Sequence, residues 1–334
     1  MTEVLILLGL LLIGGLAYLA ALGGTLEVRR SIRIRAPAAR VYQRLRDLRS
    51  WETWSPWLIH DRQALLSYSD ETDRVGGWYA WDSRMLGAGR LTHVALDEAH
   101  TLIQRLEFFR PFKSQSEVRW ELQPKGEDTE VSWSMRGAIP FWLRWLLPKL
   151  TRAQEQDFDL GLAMLRGTLE PGADFPRIDF EGPVEQPAQS YLCKRFSGSL
   201  EAMKQAMQTG YPELMRAAQD HGCKPTGPIL AIYHRFNANT RSTVCDLALP
   251  VEAATAPAGY QLLSLPQGRY FRVTLRGGYE FLEAAWNSAF GHLRMAKLKY
   301  DGKRPPIEIY DTNPSQVGSS QDLLTSIYLP LRDC

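Results

Sequence analysis

An apolar run near the start of the chain sets the strongest constraint on how this sequence can fold. Residues 4–22 read VLILLGLLLIGGLAYLAAL and carry no charged side chain. An α-helix rises about 1.5 Å per residue, so a run of about 19 residues spans roughly 28 Å, close to the hydrocarbon thickness of a bilayer. The sequence therefore predicts a transmembrane anchor over residues 1–24, followed by a large body outside the bilayer.

A cleaved signal peptide is the rival interpretation of this run, but it requires a basic start, and the only charged side chain before the run is that of Glu3. Four arginines follow the run and no cation precedes it: Arg29, Arg30, Arg33 and Arg35. The positive-inside rule then predicts a single-pass protein of the inner (cytoplasmic) membrane with its soluble domains in the cytoplasm. The same arginines also fit the first strand of a folded domain.

Residues 29–49 contain eight arginines and a single acid, Asp47. The eight are Arg29, Arg30, Arg33, Arg35, Arg40, Arg44, Arg46 and Arg49. Beside a membrane, such cations attract anionic headgroups. A solvated strand and helix face is the equally weighted alternative.

Charge and motif content narrow the class of function. The formal net charge is +2, and no helix-turn-helix module fits in the chain, so we expect no nucleic-acid partner. The four cysteines form no C-x-x-C pair and the six histidines have no metal-ligand spacing, so neither a metal nor a cofactor is predicted. No nucleophile elbow, Walker A loop or dinucleotide-binding loop is present.

The pattern of apolar and polar residues over 25–170 predicts one domain. The segment 26–35 alternates apolar and polar side chains, which predicts a strand with one buried face, and Pro37 precedes a helical spacing over 38–48. Six more alternating segments predict an antiparallel meander, over 64–69, 76–82, 90–96, 101–109, 115–122 and 129–137. A last helix over 152–169 places Phe158, Leu162 and Leu165 on one face.

This order of a strand, a helix, antiparallel strands and a long terminal helix resembles the SRPBCC superfamily (START-like, polyketide-cyclase-like). The segments SIRIRAPAARVY, LRSWETWSPW, VSWSM and GLAMLRGTLE carry the resemblance across the whole domain. It implies a helix-grip fold, in which a sheet wraps the terminal helix and leaves a cavity for a hydrophobic ligand. Only some members of the superfamily are enzymes.

Two tryptophan-rich segments of this domain are open to two interpretations each. Trp51, Trp54 and Trp57 fit either core packing or an aromatic lip on a ligand cavity. The segment 140–150, with Trp142, Trp145 and interspersed cations, fits an interfacial membrane contact or a cap over the cavity mouth. We therefore treat all five tryptophans as candidate cavity-lip or membrane-contact residues.

Residues 171–188 are rich in proline and glycine and predict a linker. The chain then repeats a strand-helix-strand-strand order within residues 189–334. The first half has a strand over 190–196, a helix over 199–221, and strands over 227–233 and 243–251; the second has a strand over 269–275, a helix over 279–300, and strands over 305–310 and 324–331. Two β-α-β-β units predict a pseudo-two-fold domain with a cleft between its halves, and an α+β protein overall.

This second domain resembles the GyrI-like, AraC-type effector-binding domain. The segments PIEIY, LPQGRYFRVTLRGGY and SIYLPL carry the resemblance, with Trp286 on the intervening helix. The resemblance implies that Glu308 is the acid of a ligand cleft and that Tyr310, Trp286, Tyr233 and Tyr270 form its walls.

The residues around Glu308 support this assignment independently. Glu308 interrupts an apolar strand, so its side chain points away from those of Ile307 and Ile309. It either faces water or is a buried acid in a cleft. A buried carboxylate beside aromatic faces attracts a lipophilic cation, and burial raises its pKa, which also suits a general base.

Three functional hypotheses follow. The first is a membrane-anchored sensor or carrier that binds a hydrophobic or cationic small molecule, or a lipid, in cavities of both domains. The second is a hydrolase of electrophilic toxins, as found among some GyrI-like proteins, with Glu308 activating water. The third is an interaction module that sequesters a protein partner. The sequence leaves catalysis open.

Overall fold

The computed structural model describes residues 23–237, 240–253 and 255–332 of the 334-residue chain. The predicted transmembrane segment, 4–22, lies outside the described residues. None of the helices that the described residues form has both the length and the apolar character needed to cross a bilayer. The chain divides into two compact units between Phe175 and Pro176, here called unit 1 and unit 2.

Unit 1 is a seven-stranded antiparallel sheet with one long helix. Its elements are β1 (Thr25–Ile34), α1 (Ala38–Arg46), β2 (Leu65–Tyr68), β3 (Trp78–Ser83), β4 (Gly87–Asp97), β5 (Thr101–Arg110), β6 (Ser114–Lys125), β7 (Asp128–Ala138) and α2 (Leu147–Leu169). Short 3-10 helices cover Leu48–Thr53, Leu58–His60 and Phe141–Leu146. The strand order is β1-β7-β6-β5-β4-β3-β2, so the chain forms a meander that β1 closes against β7.

Apolar side chains on one face of α2 fix its place against the sheet. Phe158, Leu162 and Leu165 are buried, and the ring of Phe158 stacks on Trp133 of β7 with centroids 3.9 Å apart. Gly161 permits this approach, since a Cβ there would lie 2.8 Å from the Trp133 ring. The helix begins at Leu147 rather than at the predicted residue 152, because Pro148 suits a first turn that requires no backbone N–H donor.

Unit 2 is built on a nine-stranded antiparallel sheet. Its elements are β8 (Arg177–Gln186), β9 (Gln189–Ser199), α3 (Leu200–Asp220), β10 (Lys224–Pro225), β11 (Leu230–Asn237), β12 (Ser242–Glu252), β13 (Gln261–Leu265), β14 (Gly268–Arg276), α4 (Leu282–Met295), β15 (Ile307–Tyr310) and β16 (Leu324–Pro330). Short 3-10 helices cover Tyr279–Phe281, Pro314–Gln316 and Ser320–Asp322.

The strand order of unit 2 shows the predicted repeat. The main path is β13-β9-β12-β11-β15-β16-β14-β8, with β10 paired to β12 outside it. The order β9-β12-β11 on one side mirrors β14-β16-β15 on the other, with the pseudo-two-fold axis between β11 and β15. At this axis Ala231 pairs directly with Glu308. The two antiparallel sheets fit the helix-grip and GyrI-like architectures expected from the sequence.

The segment 171–188, predicted as a linker, differs from this expectation over most of its length. Arg177–Gln186 forms β8 and pairs with β14 along its whole length. Proline is tolerated in a strand at a sheet edge, where its missing N–H faces no partner, and Pro183 lies in such an edge strand.

Candidate functional site

The carboxylate of Glu308 is the centre of the candidate site in unit 2. Glu308 lies on the short strand β15, between β11 and β16, and its side chain is 2 % exposed. Glu308 and Tyr310 are two residues apart on one strand, so their side chains share a face of the sheet. Ile307 and Ile309 pack on the opposite face. The alternative in which Glu308 faces water does not occur.

Three donors converge on this carboxylate. The hydroxyl groups of Tyr233 (3.3 Å) and Tyr310 both donate to Oε1, and the indole Nε1 of Trp286 donates to Oε2 at 2.5 Å. The donors come from β11, β15 and α4. The structure thus brings together four of the five ligand residues predicted for this domain.

The tyrosine on each side of the pseudo-two-fold axis occupies the same position in its half. The sequence Ala231-Ile232-Tyr233 on β11 corresponds to Glu308-Ile309-Tyr310 on β15. Tyr233 and Tyr310 are therefore repeat equivalents that reach the same oxygen atom from opposite sides. The equivalent of Glu308 itself is Ala231, so the repeat places a single acid at the axis.

Two further tyrosines, not predicted from the sequence, complete an aromatic set around the acid. The rings of Tyr211 and Tyr279 lie 5.9 Å and 5.6 Å from that of Tyr310, both edge-on. Tyr233 and Trp286 also meet edge-on, with centroids 5.2 Å apart. Tyr211 lies on α3 and Tyr279 in the 3-10 helix before α4, and no local pattern in the sequence marks either as a neighbour of Glu308.

Tyr270, the fifth predicted wall residue, lies elsewhere. It belongs to the apolar cluster on the opposite face of the sheet, near Tyr328, with the guanidinium of Arg304 5.4 Å from its ring centre. The structure does not bring Tyr270 into contact with the Glu308 group, because its position on β14 directs the side chain to the face shared with Ile307.

Burial sets the protonation behaviour of this site. Desolvation raises the pKa of the Glu308 carboxyl above its ordinary value, and the hydrogen bonds from Tyr310, Trp286 and Tyr233 offset part of that rise. Burial, followed by the charge of Glu308, raises the pKa values of Tyr233 and Tyr310 well above the ordinary tyrosine value. Both phenols therefore remain protonated donors at neutral pH.

Unit 1 contains a second candidate site, a cavity of about 400 Å³ between the sheet and α2. Its lining is mostly apolar and aromatic, including Trp51, Trp57, Tyr79, Trp81, Phe108, Trp133, Met135 and Phe158. One carboxylate, Asp157, lines it and accepts a hydrogen bond from Trp57 Nε1 at 3.1 Å. Such a lining suits a ligand that is largely apolar.

The five tryptophans predicted at a lip or a membrane contact separate into two groups. Trp51 and Trp54 are buried in the core, and Trp51 and Trp57 line the cavity wall. Trp142 and Trp145 are the exposed ones, at 54 % and 59 %. The first group therefore belongs to the packing of unit 1 and the second to its surface.

The arginines of residues 29–49 are largely matched by carboxylates. Arg29, Arg30 and Arg33 pair with acids of unit 1, and Arg35 and Arg46 do so as well: the partners are Glu121, Glu155 with Asp159, Asp128, Glu170 and Asp73. This arrangement favours the solvated-face interpretation of the cluster.

No group of three or more His, Cys, Asp or Glu side chains within the described ranges could hold a metal ion. Cys193 and Cys245 are buried in unit 2, and burial raises the pKa of each thiol to about 12. These two cysteines are thiols at neutral pH and lack the thiolate form that acts as a nucleophile or a metal ligand.

Comparison with known proteins identifies two family regions. Residues 25–170 match the family described as polyketide cyclase / dehydrase and lipid transport. Residues 182–332 match the GyrI-like small molecule binding domain. The two regions coincide with units 1 and 2, and both descriptions support the binding of small molecules. A comparison with curated proteins gives no match.

Several solved structures are similar to part of the chain. The EcmrR C-terminal domain is 16 % identical, covering 48 % of this chain and 99 % of that one, with a TM-score of 0.41. Protein CV1439 from Chromobacterium violaceum is 16 % identical, covering 44 % and 98 %, with a TM-score of 0.33. SAV2435 bound to tetraphenylphosphonium is 10 % identical, covering 46 % and 94 %, with a TM-score of 0.36.

Proposed function

We propose that this protein binds small molecules at two chemically different sites: a lipophilic cation beside Glu308 in unit 2 and an apolar molecule or lipid in the cavity of unit 1. The observation that carries the first part is a buried carboxylate without a counter-ion. No Lys or Arg among the described residues forms an ion pair with Glu308. A buried charge requires a partner or a proton, and a bound cation would supply that partner.

A second buried acid of unit 2 provides an internal comparison. Asp246 is 1 % exposed, accepts hydrogen bonds from Arg195, with Nη2 3.2 Å from Oδ2, and lies 2.7 Å from His234 Nε2. Asp246 is thus neutralised within the protein, whereas Glu308 has only phenol and indole donors. This contrast supports a ligand role for Glu308 and a structural role for Asp246.

The aromatic set determines which cation fits. Tyr233, Tyr279 and Trp286 are half-buried, so we expect a ligand to approach Glu308 from their side. Aromatic faces attract a cation through cation–π interactions of about 0.5–2 kcal/mol each. A cation carrying flat apolar groups satisfies both the carboxylate and these rings, whereas a small hydrated cation satisfies only the former.

The same contacts favour binding over hydrolysis. Both oxygens of Glu308 already accept hydrogen bonds from the protein, so an attacking water molecule would have to compete with these donors for the carboxylate. A general base must reach the proton that it removes.

The test uses a pair of ions with the same shape and opposite charge. Tetraphenylarsonium and tetraphenylborate are titrated into the full-length protein in lipid nanodiscs, with empty nanodiscs as the blank. We expect the cation alone to bind, and Glu308→Gln to weaken its binding by about 2 kcal/mol, roughly 30-fold, as for the loss of one member of a buried charge pair. Equal binding of both ions, or an unchanged affinity in Glu308→Gln, would refute the site. Asp246→Asn serves as the matched control.

The location is part of the proposal. The apolar run 4–22 and the arginines after it support a single-pass anchor in the inner (cytoplasmic) membrane, with both units in the cytoplasm and no nucleic-acid partner. Alkaline carbonate extraction of membranes, followed by protease treatment of spheroplasts bearing a C-terminally tagged protein, tests this. Release by carbonate, or digestion of the tag from outside, would contradict it.

A further inference from the structure

A group of exposed apolar side chains in unit 1 lies on two segments that also contribute to the cavity lining. We call it the mouth surface, and its exposed residues are Phe112, Phe141, Trp142, Trp145 and Leu150. Single exposed apolar residues are ordinary, whereas a contiguous exposed patch marks an interaction site. The rings of Phe112 and Trp142 are in contact, with centroids 5.3 Å apart, which joins the end of β5 to the 3-10 helix Phe141–Leu146.

The mouth surface surrounds an opening of the unit 1 cavity. Phe112 and Leu150 line the cavity and are at the same time exposed to solvent, at 53 % and 38 %. Pro140 and Leu143 also line the cavity. A molecule that leaves the cavity at this point passes directly across the aromatic residues of the surface.

The two segments that carry this surface contain cations and no acid. Residues 109–113 and 139–152 contain five cations and no acid: Arg110, Lys113, Arg144, Lys149 and Arg152. Arg110 is paired with Asp82, while Lys113, Lys149 and Arg152 are exposed. Aromatic residues mixed with lysine and arginine are typical of protein surfaces that lie at the headgroup level of a bilayer.

The N-terminal segment joins the fold at the edge of the same surface. The carbonyl of Gly24 accepts a hydrogen bond from the N–H of Ile139 at 2.8 Å, one residue before Pro140. The Arg144 guanidinium lies so close to Gly24 that a Cβ there would be 2.6 Å from its Nη2. Gly24, two residues after the apolar run 4–22 in the sequence, therefore lies beside the mouth surface.

We propose that the mouth surface docks onto an anionic lipid bilayer, so that the unit 1 cavity opens toward the lipid. Three observations select a bilayer as the partner: the exposed aromatic residues, the excess of cations in their two segments, and the position beside the patch of Gly24, which closely follows a membrane-length apolar run in the sequence. The consequence of docking, that the cavity opens toward lipid, rests on the proposed function, in which this cavity holds an apolar molecule. The docking itself is independent of what the cavity holds.

The experiment uses fluorescence quenching by brominated lipids, because bromine atoms on acyl chains quench only tryptophans that reach the bilayer. Full-length protein is reconstituted with phosphatidylcholine and phosphatidylglycerol, with and without bromination. The variant Trp142→Phe/Trp145→Phe keeps the aromatic surface and removes its reporters. Trp78→Phe, a half-buried tryptophan of β3 outside the mouth surface, is the matched control.

We expect the quenched fraction of wild-type fluorescence to fall by more than half in Trp142→Phe/Trp145→Phe and to remain unchanged in Trp78→Phe. The charge-reversal variant Lys149→Glu/Arg152→Glu should lower quenching in vesicles that contain phosphatidylglycerol. Equal quenching of wild-type protein and the double phenylalanine variant would overturn the proposal. We expect this result if residues 4–22 or a second copy of the chain covered the surface in place of lipid.

Failure of this proposal is distinguishable from failure of the proposed function. Binding of tetraphenylarsonium at Glu308 is measured on the same reconstituted samples and involves no residue of the mouth surface. Carbonate extraction reports on residues 4–22 alone. Quenching of Trp142 and Trp145 that persists without cation binding would support docking while refuting the unit 2 site.

Discussion

The two units enclose their candidate sites with different aromatic residues. Trp286 is the only one of the ten tryptophans outside residues 25–170. Unit 2 instead holds nine of the thirteen tyrosines: Tyr191, Tyr211, Tyr233, Tyr260, Tyr270, Tyr279, Tyr300, Tyr310 and Tyr328. Tryptophan offers a large apolar face and one donor, while tyrosine offers a hydroxyl group that both donates and accepts.

This difference follows from what each site contains. The unit 1 cavity has wide apolar walls, in which the rings of Trp133 and Phe158 stack on each other and Trp120 stacks on Trp133. The unit 2 site requires donors for a buried carboxylate, which Tyr233 and Tyr310 provide. Under the proposed function, unit 1 selects ligands by shape and apolar area, and unit 2 selects them by charge.

The largest expected effect comes from removing the ring of Phe158 from the aromatic stack of unit 1. Phe158→Ala should destabilise unit 1 by about 3–5 kcal/mol, since it leaves a cavity against Trp133. Urea unfolding of the full-length protein, followed by tryptophan fluorescence, reports almost entirely on unit 1. The matched variant Phe271→Ala, equally buried in unit 2, should leave that transition in place and shift the circular dichroism signal. If both variants moved one common transition, the units would not be separable.

The pH dependence of cation binding gives a second test of the difference between the two sites. A carboxyl is ionised above its pKa, and the pKa of Glu308 is raised, so cation affinity should fall as the pH drops through a value above the ordinary carboxyl range. Calorimetric titrations at a series of pH values give the midpoint. The expected loss at low pH equals that of Glu308→Gln, about 2 kcal/mol.

Two tyrosine variants test whether the midpoint of the pH dependence is set by the hydrogen bonds to Glu308. Tyr310→Phe removes a hydrogen bond that favours the ionised form, so the midpoint should move to higher pH. Tyr270→Phe, on the other face of the sheet, should not move it. A shared shift would mean that the midpoint reports on unit 2 as a whole rather than on the contacts of Glu308.

The smallest expected effect is in unit 1. Leu106→Trp adds a bulky side chain to the cavity wall and should weaken binding of the neutral probe N-phenyl-1-naphthylamine about tenfold, or roughly 1.4 kcal/mol. Leu65→Trp makes the same change on the exposed strand β2 and should have no effect. Binding is followed by the probe's own fluorescence. Sensitivity of the neutral probe to Glu308→Gln would show that the two sites do not differ in the proposed way.

Strand alternation predicted most of the fold because one buried face leaves a period of two in the sequence. All six segments predicted between residues 64 and 137 are strands, with bounds within a few residues. The strand β8 was missed because its glycine and proline indicate a turn, and only its edge position makes Pro183 acceptable. The helix predicted over 279–300 is shorter, with α4 ending at Met295.

The acid and its nearest partners were predictable, whereas the outer part of the site was not. Glu308 and Tyr310 share a strand, so their common face follows from spacing alone. Tyr211 and Tyr279 reach the site only through the packing of helical segments on the sheet, which no local sequence pattern encodes. Tyr270 was expected at the site from family resemblance, and the opposite pleat of β14 directs it away.

The position of Glu308 at the pseudo-two-fold axis has a consequence for stoichiometry. A duplicated domain ordinarily offers two copies of whatever its repeat encodes, yet here the two halves share one oxygen atom between Tyr233 and Tyr310, and the equivalent acid is Ala231. Two carboxylates paired directly across β11 and β15 would repel each other in a buried site. Under the proposed function, the duplication therefore gives one cation site per chain, with one half supplying the charge and both halves supplying the donors.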